Sequence, residues 1–284
     1  MLLKALPHRQ QLMRTLQLRT VTARARDEEV TTTSGRTFAV AQQQEQGILY
    51  EGHVQLGQLQ RAAVAILSAV GASLNPARAD LVAAVGETTG ESALKRMLAR
   101  MQATSSGRDI LRDRPRITDE VMRRAQTLPQ GTFGRAYGDF MAQRGFHADD
   151  RPPVRFVNSE ELAYVAIRNR ETHDLWHVLF NCRTTVLGEL ALKAVEFVQT
   201  GMPMPALSVL GASWRLKSSE RSLLMGTYMP WALHAGSRSA DLMCLYYERH
   251  FEEGLEDVRR RWRIQPAPLS DPSPQTLQLS SQSM

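Results

Sequence analysis

Between residues 47 and 264, no stretch of this chain alternates polar and apolar side chains in the way that a half-buried β-strand requires. The region carries repeated helix-start signals instead. Thr118 precedes two acidic residues, and Asn158 is followed three positions later by Glu161, a pattern typical of a capping box. We therefore predict an all-α fold, with residues 47–264 forming a single helical domain.

Helix bounds follow from the same signals. The helix that Asn158 opens should run to about Phe180. A short connection at residues 181–184 should lead into a second helix, capped by Thr184 or Thr185 and ended by the prolines that follow it at 203 and 205. The last helix is expected to span about Ser239–Trp262.

The N-terminal residues 1–26 contain six Lys or Arg residues, which equal the whole net charge of +6, and no acidic residue. Leucines separate these cations, and the composition predicts a mitochondrial transit peptide, cleaved somewhere in 20–45. A disordered basic tail is the alternative. Because the rest of the chain is neutral, a nucleic-acid partner is not expected.

The segments on either side of the domain are polar. Residues 27–46 are interpreted as a linker, and residues 265–284, rich in Pro, Ser and Gln, as a disordered tail. The two cysteines, Cys182 and Cys244, are expected to be free thiols in a reducing compartment. The most apolar stretch, Ala62–Leu74, is shorter than the ~20 residues that span a bilayer.

Two histidines in the helix 158–180 are spaced so that their side chains lie on the same side of the helix. His173 and His177 are four residues apart and share one helix face with Leu162, whereas Arg168, Glu160 and Glu171 are predicted to point away. Asp174 lies at the margin of the face that should be buried. Burying these polar groups costs several kcal/mol, and a divalent cation would satisfy them together.

Glu189 completes the predicted metal site. If the chain reverses at 181–184, His177 and Glu189 are about equally far from the turn and face each other across an antiparallel helix pair. Two imidazoles with carboxylates suit zinc, iron or manganese. Three alternatives remain: ordinary histidines, Asp174 as a partner that only orients a ring, and Glu189 paired with Lys193.

Five further blocks make the chain recognisable. They are GETTG (86–90), LPQGTFGRAYGDFM (128–141), RFVNSEELAYV (155–165), KAVEFVQTGMPM (193–204) and LYYERHFEE (245–253). A sixth feature is the motif His-Asp-x-x-His, which is followed after a spacer of eleven residues by Glu. Together with this motif, the five blocks resemble the ubiquinone biosynthesis family known as the fourth Coq protein, over roughly residues 48–263.

This resemblance implies an all-helical protein, peripheral on the matrix side of the mitochondrial inner membrane. It implies a divalent metal, zinc above all, at His173, Asp174, His177 and Glu189. It further implies C1 decarboxylation of 4-hydroxy-3-methoxy-5-polyprenylbenzoate, a carboxy-lyase reaction that could be coupled to C1 hydroxylation. A scaffold role for other coenzyme Q biosynthesis enzymes also follows, and a homo-oligomer is left open.

Other residues are weaker candidates. Lys193 and Glu196 share the face of Glu189 and are candidates for catalysis. The apolar segments Ala62–Leu74 and Met202–Leu210 could line a channel for the polyprenyl tail or simply form core. The arginines at 259, 260, 261 and 263 could meet anionic head groups, although a solvated helix end is the alternative.

Two rival functions are kept beside the decarboxylase. One is a non-catalytic, lipid-binding scaffold whose metal is structural. The other is a metallohydrolase related to the His-Glu-x-x-His enzymes. Against it, Asp174 stands where that motif has glutamate, and no third ligand motif follows.

Overall fold

A computed structural model describes residues 48–75 and 78–268. The predicted transit peptide 1–26, the linker 27–46 and residues 269–284 of the tail lie outside the described residues. The described residues belong to one compact unit. Within the described residues there is no β-strand, only an isolated bridge between Thr132 and Gly254, so the all-α prediction is confirmed.

The described residues form helices joined by short connections. The α-helices are α1 (Gln58–Leu74), α2 (Ala79–Thr89), α3 (Glu91–Ala103), α4 (Ser105–Asp113), α5 (Asp119–Gln126), α6 (Phe133–Arg144), α7 (Glu160–Phe180), α8 (Val186–Thr200), α9 (Pro203–Ala212), α10 (Ser218–Leu223), α11 (Met229–Arg238) and α12 (Leu255–Arg261). A π-helical segment, Leu224–Tyr228, joins α10 to α11. Short 3₁₀ turns occupy Ala148–Asp150, Ser213–Arg215, Leu242–Cys244 and Tyr247–His250.

Side-chain caps start the helices that matter most for the site. Thr118 caps α5 as predicted, its hydroxyl accepting from the amide of Val121. The cap of α7 is Ser159, one residue later than predicted. Asn158 instead lies 3.2 Å from the ring of His53, which removes it from the capping position.

The prolines after α8 begin a helix and do not end one. α8 is capped by Thr185 and stops at Thr200, where Gly201 adopts a positive φ of 65°. Pro203 then stands at the first position of α9, where its missing N–H costs nothing and its fixed φ suits a helix.

The predicted helix Ser239–Trp262 is wrong. Two 3₁₀ turns replace its first half, and α12 begins only after Gly254. Leu242, Met243 and Cys244 are consecutive and all buried. These three side chains enter the core from a 3₁₀ turn, so the segment is buried without forming the α-helix that was predicted.

α7 lies at the centre of the core, in contact with α3, α6 and α8. Its residues Val165, Leu175, Trp176 and Leu179 are fully buried. The indole N–H of Trp176 donates to the hydroxyl of Tyr247 at 2.9 Å, which ties α7 to the segment before α12.

α7 is also buried on the side that was predicted to face solvent. Arg168 is 1% exposed and forms an ion pair with Glu248 through both terminal nitrogens. The buried carboxylate of Glu171 accepts from the guanidinium of Arg116 at 2.7 Å and from the amide of Ile117 at 3.0 Å. The segments before α5 and α12 therefore cover this side and supply polar partners.

The first helix shows the opposite behaviour. α1 exposes five large apolar side chains: Leu59, Ile66, Leu67, Val70 and Leu74. No helix in 48–75 or 78–268 has both the length and the apolar character needed to cross a membrane.

Candidate metal centre

His177, near the end of α7, is held in one orientation. It is 2% exposed, and its Nδ1 lies 3.0 Å from the carbonyl oxygen of Cys182. Because that oxygen can only accept, Nδ1 donates to it, and the ring is turned so that Nε2 is directed at α8. Asn181 adopts a left-handed φ of 53°, which reverses the chain and brings the Cys182 carbonyl back to the ring. Nε2 then lies 3.1 Å from Oε1 of Glu189.

His173 approaches the same carboxylate from one helical turn away. Its Nε2 is 3.6 Å from Oε2 of Glu189, and its Nδ1 is 3.3 Å from Oε2 of Glu196. One ligand atom each from His173, His177 and Glu189 lie within 4.8 Å of one another. The two Nε2 atoms therefore converge on Glu189, with their Nδ1 atoms directed at a carbonyl and a carboxylate.

The electrostatics of the site suit a cation. Burial and the charge of Lys193 oppose protonation of His173, but the close carboxylates of Glu189 and Glu196 outweigh them and raise its pKa to about 9. Burial would raise the pKa of Glu196, yet Lys193 and His173 lower it to about 2. Burial likewise opposes ionisation of Glu189, and the two histidines hold its pKa well below the usual range. The ionised carboxylates of Glu189 and Glu196 thus both face the ring of His173.

The donor set fits a divalent metal. The buried Nδ1 of His173 has no hydrogen bond of normal geometry despite its closeness to Glu196. Two imidazole nitrogens and one glutamate are the three protein ligands typical of a catalytic zinc site, and they also suit iron or manganese. Partners on the distal ring nitrogens usually orient such ligands, and Glu196 and the Cys182 carbonyl are suitable for that role.

Asp174 is not brought to this cluster. Its Oδ2 accepts from the guanidinium of Arg151 at 2.6 Å, and the cluster of candidate ligands does not include it. The next residue along a helix points about 100° away, so Asp174 diverges from His173 toward the loop before α7. Of the four predicted ligands, three come together and the fourth pairs with an arginine.

Two cavities adjoin the cluster. The His173 cavity, of about 340 Å³, is lined by Asn169, His173, Lys193 and Glu196 and by residues of α2 and the loop before α7. The Glu189 cavity, of about 690 Å³, lies among α1, α2, α8 and α9. Lys193 lines both. Its Nζ is 2.6 Å from Oε2 of Glu196, so the two candidate catalytic residues form a buried pair beside His173.

Several cavity residues were missed by sequence reasoning. Glu87, in the block GETTG, accepts from the amides of Arg155 and Phe156 and from the guanidinium of Arg170. It thereby fastens the loop before α7 over the His173 cavity. Asn169 lies one helical turn before His173, and that spacing alone could have identified it.

The arginine cluster at the end of α12 makes contacts within the protein, and one of its members holds the end of α7. Arg259 donates to the carbonyl oxygens of Val178 and Leu179, which lack partners within the helix. Arg260 pairs with Asp257, and Arg261 pairs with Glu253. These contacts favour the helix-end interpretation of this cluster.

The chain has clear relatives. The profile of the family described as coenzyme Q (ubiquinone) biosynthesis protein Coq4 matches residues 50–268. The ubiquinone biosynthesis protein coq4, mitochondrial, of Aspergillus niger is 44% identical over 222 residues, covering 77% of this chain and 76% of that protein. The COQ4 homolog, mitochondrial, of Bos taurus is 41% identical over 225 residues, covering 78% and 85%.

A solved structure shares the architecture. The crystal structure of a Nostoc punctiforme protein aligns with a TM-score of 0.58 and 18% identity, over 71% of this chain and 97% of that chain. At this identity the likeness supports the fold alone. The family match and the identities above confirm the resemblance that the sequence blocks predicted. This chain belongs to the family of coenzyme Q (ubiquinone) biosynthesis protein Coq4 and has a role in ubiquinone biosynthesis.

Proposed function

We propose that this protein removes the C1 carboxylate of 4-hydroxy-3-methoxy-5-polyprenylbenzoate with a divalent metal, zinc above all, at His173, His177 and Glu189. The observation that carries the proposal is the openness of this three-ligand cluster. Glu189 keeps 37% of its side chain exposed and lines one cavity, and His173 lines the other. A structural site would be closed and four-coordinate, whereas a catalytic one leaves a position for substrate.

The metal site lies between α7 and α8. Glu189, early in α8, faces His177, late in α7, and the later Glu196 contacts the earlier His173. This order of contacts is the one expected of an antiparallel pair, and it supports the proposed position of the metal. Asp174 contributes indirectly in this proposal, by fixing Arg151 at the wall of the His173 cavity.

A bound divalent cation would supply a Lewis acid that polarises the substrate carboxylate. Decarboxylation replaces the bond between C1 and the carboxylate carbon with a bond between C1 and a proton. Lys193 can donate that proton, since it lines both cavities and its Nζ is positioned by Glu196. Carbon dioxide leaves, the electron pair of the broken bond restores the aromatic ring, and solvent reprotonates Lys193.

The polyprenyl tail is assigned to the Glu189 cavity. Both segments that were expected to line a tail channel contribute to its wall, α1 through Ala69 and Ala72, and α9 through Leu207. Exposed leucines at positions 74 and 210 continue this apolar surface outward. A long isoprenoid could therefore pass from the site to the surface along apolar side chains of α1 and α9.

The same exposed surface supports two wider proposals. A protein that takes a lipid substrate from a bilayer is expected to lie peripherally on it, here the matrix side of the mitochondrial inner membrane. The apolar side chains of α1 could also hold other coenzyme Q enzymes near that substrate, which is the scaffold role. Large exposed apolar patches commonly mark such interaction sites.

The test uses the full chain loaded with zinc and a carboxyl-labelled 4-hydroxy-3-methoxy-5-prenylbenzoate. We expect labelled carbon dioxide from the wild type and none from His177→Ala. His234→Ala is the matched control, because His234 is exposed and far along the chain from the site, beside Gln265. Circular dichroism confirms that each variant is folded.

The outcomes separate the alternatives. A product with hydrogen at C1 indicates simple decarboxylation, and a product with a hydroxyl at C1 indicates coupled hydroxylation and a redox-active metal. Absence of carbon dioxide from zinc-, iron- and manganese-loaded wild type would contradict the proposal and favour the non-catalytic scaffold. Chelator-sensitive hydrolysis of simple esters would favour the metallohydrolase.

A further inference from the structure

Asn169 has a buried amide whose role the fold does not explain. The residue is 8% exposed and belongs to the wall of the His173 cavity. Its Oδ1 is buried and has no hydrogen-bond partner among the described residues. A buried polar atom without a partner lowers the stability of the fold, so its retention calls for a reason other than stability.

The charged groups around this amide are already occupied with one another. Lys193 pairs with Glu196, Arg170 pairs with Glu87, and the Arg151 guanidinium pairs with Asp174. The amide of Asn169 is therefore the neutral group in this wall that can both donate and accept a hydrogen bond. A ligand with a neutral hydroxyl would match it.

Position on the helix indicates which hydroxyl. Asn169 precedes His173 by four residues, so the two lie on one face of α7, separated by about 6 Å along the axis. In a 4-hydroxybenzoate, the carboxylate and the hydroxyl lie on opposite sides of one ring, at about the same separation. A carboxylate beside His173 and Glu189 would therefore direct the para hydroxyl toward Asn169.

We infer that Asn169 recognises the phenol hydroxyl of the substrate, accepting a hydrogen bond from it through Oδ1. The inference rests on the proposed function and adds a specificity-determining residue to it. The contact has a chemical consequence as well. Drawing the phenol proton toward an acceptor increases the electron density of the ring at C1, the para carbon that must gain a proton.

Binding, and not turnover, tests this inference. The zinc-loaded full chain is titrated with 4-hydroxy-3-methoxy-5-prenylbenzoate and with 3-methoxy-5-prenylbenzoate, which lacks the hydroxyl. We expect the wild type to prefer the hydroxylated ligand by about tenfold. Asn169→Leu should bind both ligands equally, and Asn169→Asp, which keeps an acceptor oxygen, should retain the preference.

Thermal unfolding of the unliganded variants separates a ligand role from a structural one. Leucine removes an unpartnered amide from a buried position, so we expect a melting temperature equal to or above that of the wild type. A clearly lower melting temperature would assign Asn169 to the packing of α7 and overturn the inference. So would an undiminished preference for the hydroxylated ligand in Asn169→Leu.

The two proposals fail in different ways. If the zinc-loaded wild type binds neither benzoate, the proposed function is wrong and the inference is wrong with it. If it binds both without preference, the benzoate site stands and the assignment of the hydroxyl to Asn169 is wrong.

Discussion

Two sides of α7 bury polar residues in opposite ways. The paired side, formed by Arg168, Glu171 and Thr172, directs its side chains at partners in the protein: Glu248, Arg116 and the helix backbone. Only Nε of Arg168 is left without a bond. The open side, formed by Asn169, His173 and His177, lines the metal cluster and the adjoining cavity, and two of its buried atoms lack a normal hydrogen bond.

The difference separates stability from function. A buried charge that is fully paired fixes the packing of the segments around it, and it is costly to disturb. A buried polar group that is left unsatisfied costs stability in the folded protein and can recover that cost when a ligand binds. We therefore expect substitutions on the paired side to act on folding and those on the open side to act on binding.

Arg168→Met should have the largest effect on stability. It leaves the Glu248 carboxylate without its buried partner, which we expect to lower the free energy of unfolding by about 3–5 kcal/mol. Urea unfolding measures this loss. Arg249→Met is the matched control, since Arg249 pairs with Asp109 and Asp113 on the surface and should cost under about 1 kcal/mol. Equal losses in both variants would contradict the comparison.

Zinc should stabilise the chain through the open side. At a free zinc concentration of a hundred times Kd, the free energy of unfolding should rise by about 2.7 kcal/mol, and a chelator should reverse the gain. His177→Ala should abolish this response, because it removes the ligand whose Nε2 faces Glu189. A zinc response that survives in His177→Ala would place the metal elsewhere.

Glu196→Gln should weaken metal binding without preventing it. Glu196 faces the distal Nδ1 of His173, and loss of such an orienting carboxylate typically lowers metal affinity about tenfold to a hundredfold. Competition with a chromophoric chelator measures the affinity. An unchanged value would show that Glu196 serves Lys193 alone.

Asp174→Asn should have the smallest effect on the metal. Because its carboxylate is engaged with Arg151, we expect zinc affinity to change by less than about twofold, although melting temperature should fall as Arg151 loses its charged partner. A fall in affinity as large as that of His177→Ala would restore Asp174 as a ligand and would show that its pairing with Arg151 is broken when metal binds.

Most of the candidate site could be predicted from the sequence because its main residues are close together along the chain. His173 and His177 share a face through helical periodicity, and Glu189 reaches them across a turn of a few residues. Asp174 was predicted as a further metal ligand because it lies inside the same motif, and a motif does not show in which direction each side chain points. Its actual partner, Arg151, lies 23 residues away in a loop whose path depends on Glu87 in a different helix.

The errors in the predicted fold also arose from partners that are distant along the chain. Arg168 and Glu171 were expected on a solvated side, since their covering partners, Glu248 and Arg116, are 80 and 55 residues away. The helix expected at Ser239–Trp262 is replaced in its first half by 3₁₀ turns, one of which carries Glu248, the partner of Arg168 in α7. Neither fact leaves a signal in the local pattern.

The sequence by itself determined the helical class, the starts of α5 and α8, the family, and three side chains that the structure brings together at the candidate metal site. These depend on periodicity, capping and short turns, which act within a few residues. The tertiary structure decided which polar groups are satisfied: Asp174 by Arg151, Arg168 by Glu248, and the Oδ1 of Asn169 by no group among the described residues. Satisfaction of a buried polar atom depends on whichever segment packs against it, and that is set only when the whole chain has folded.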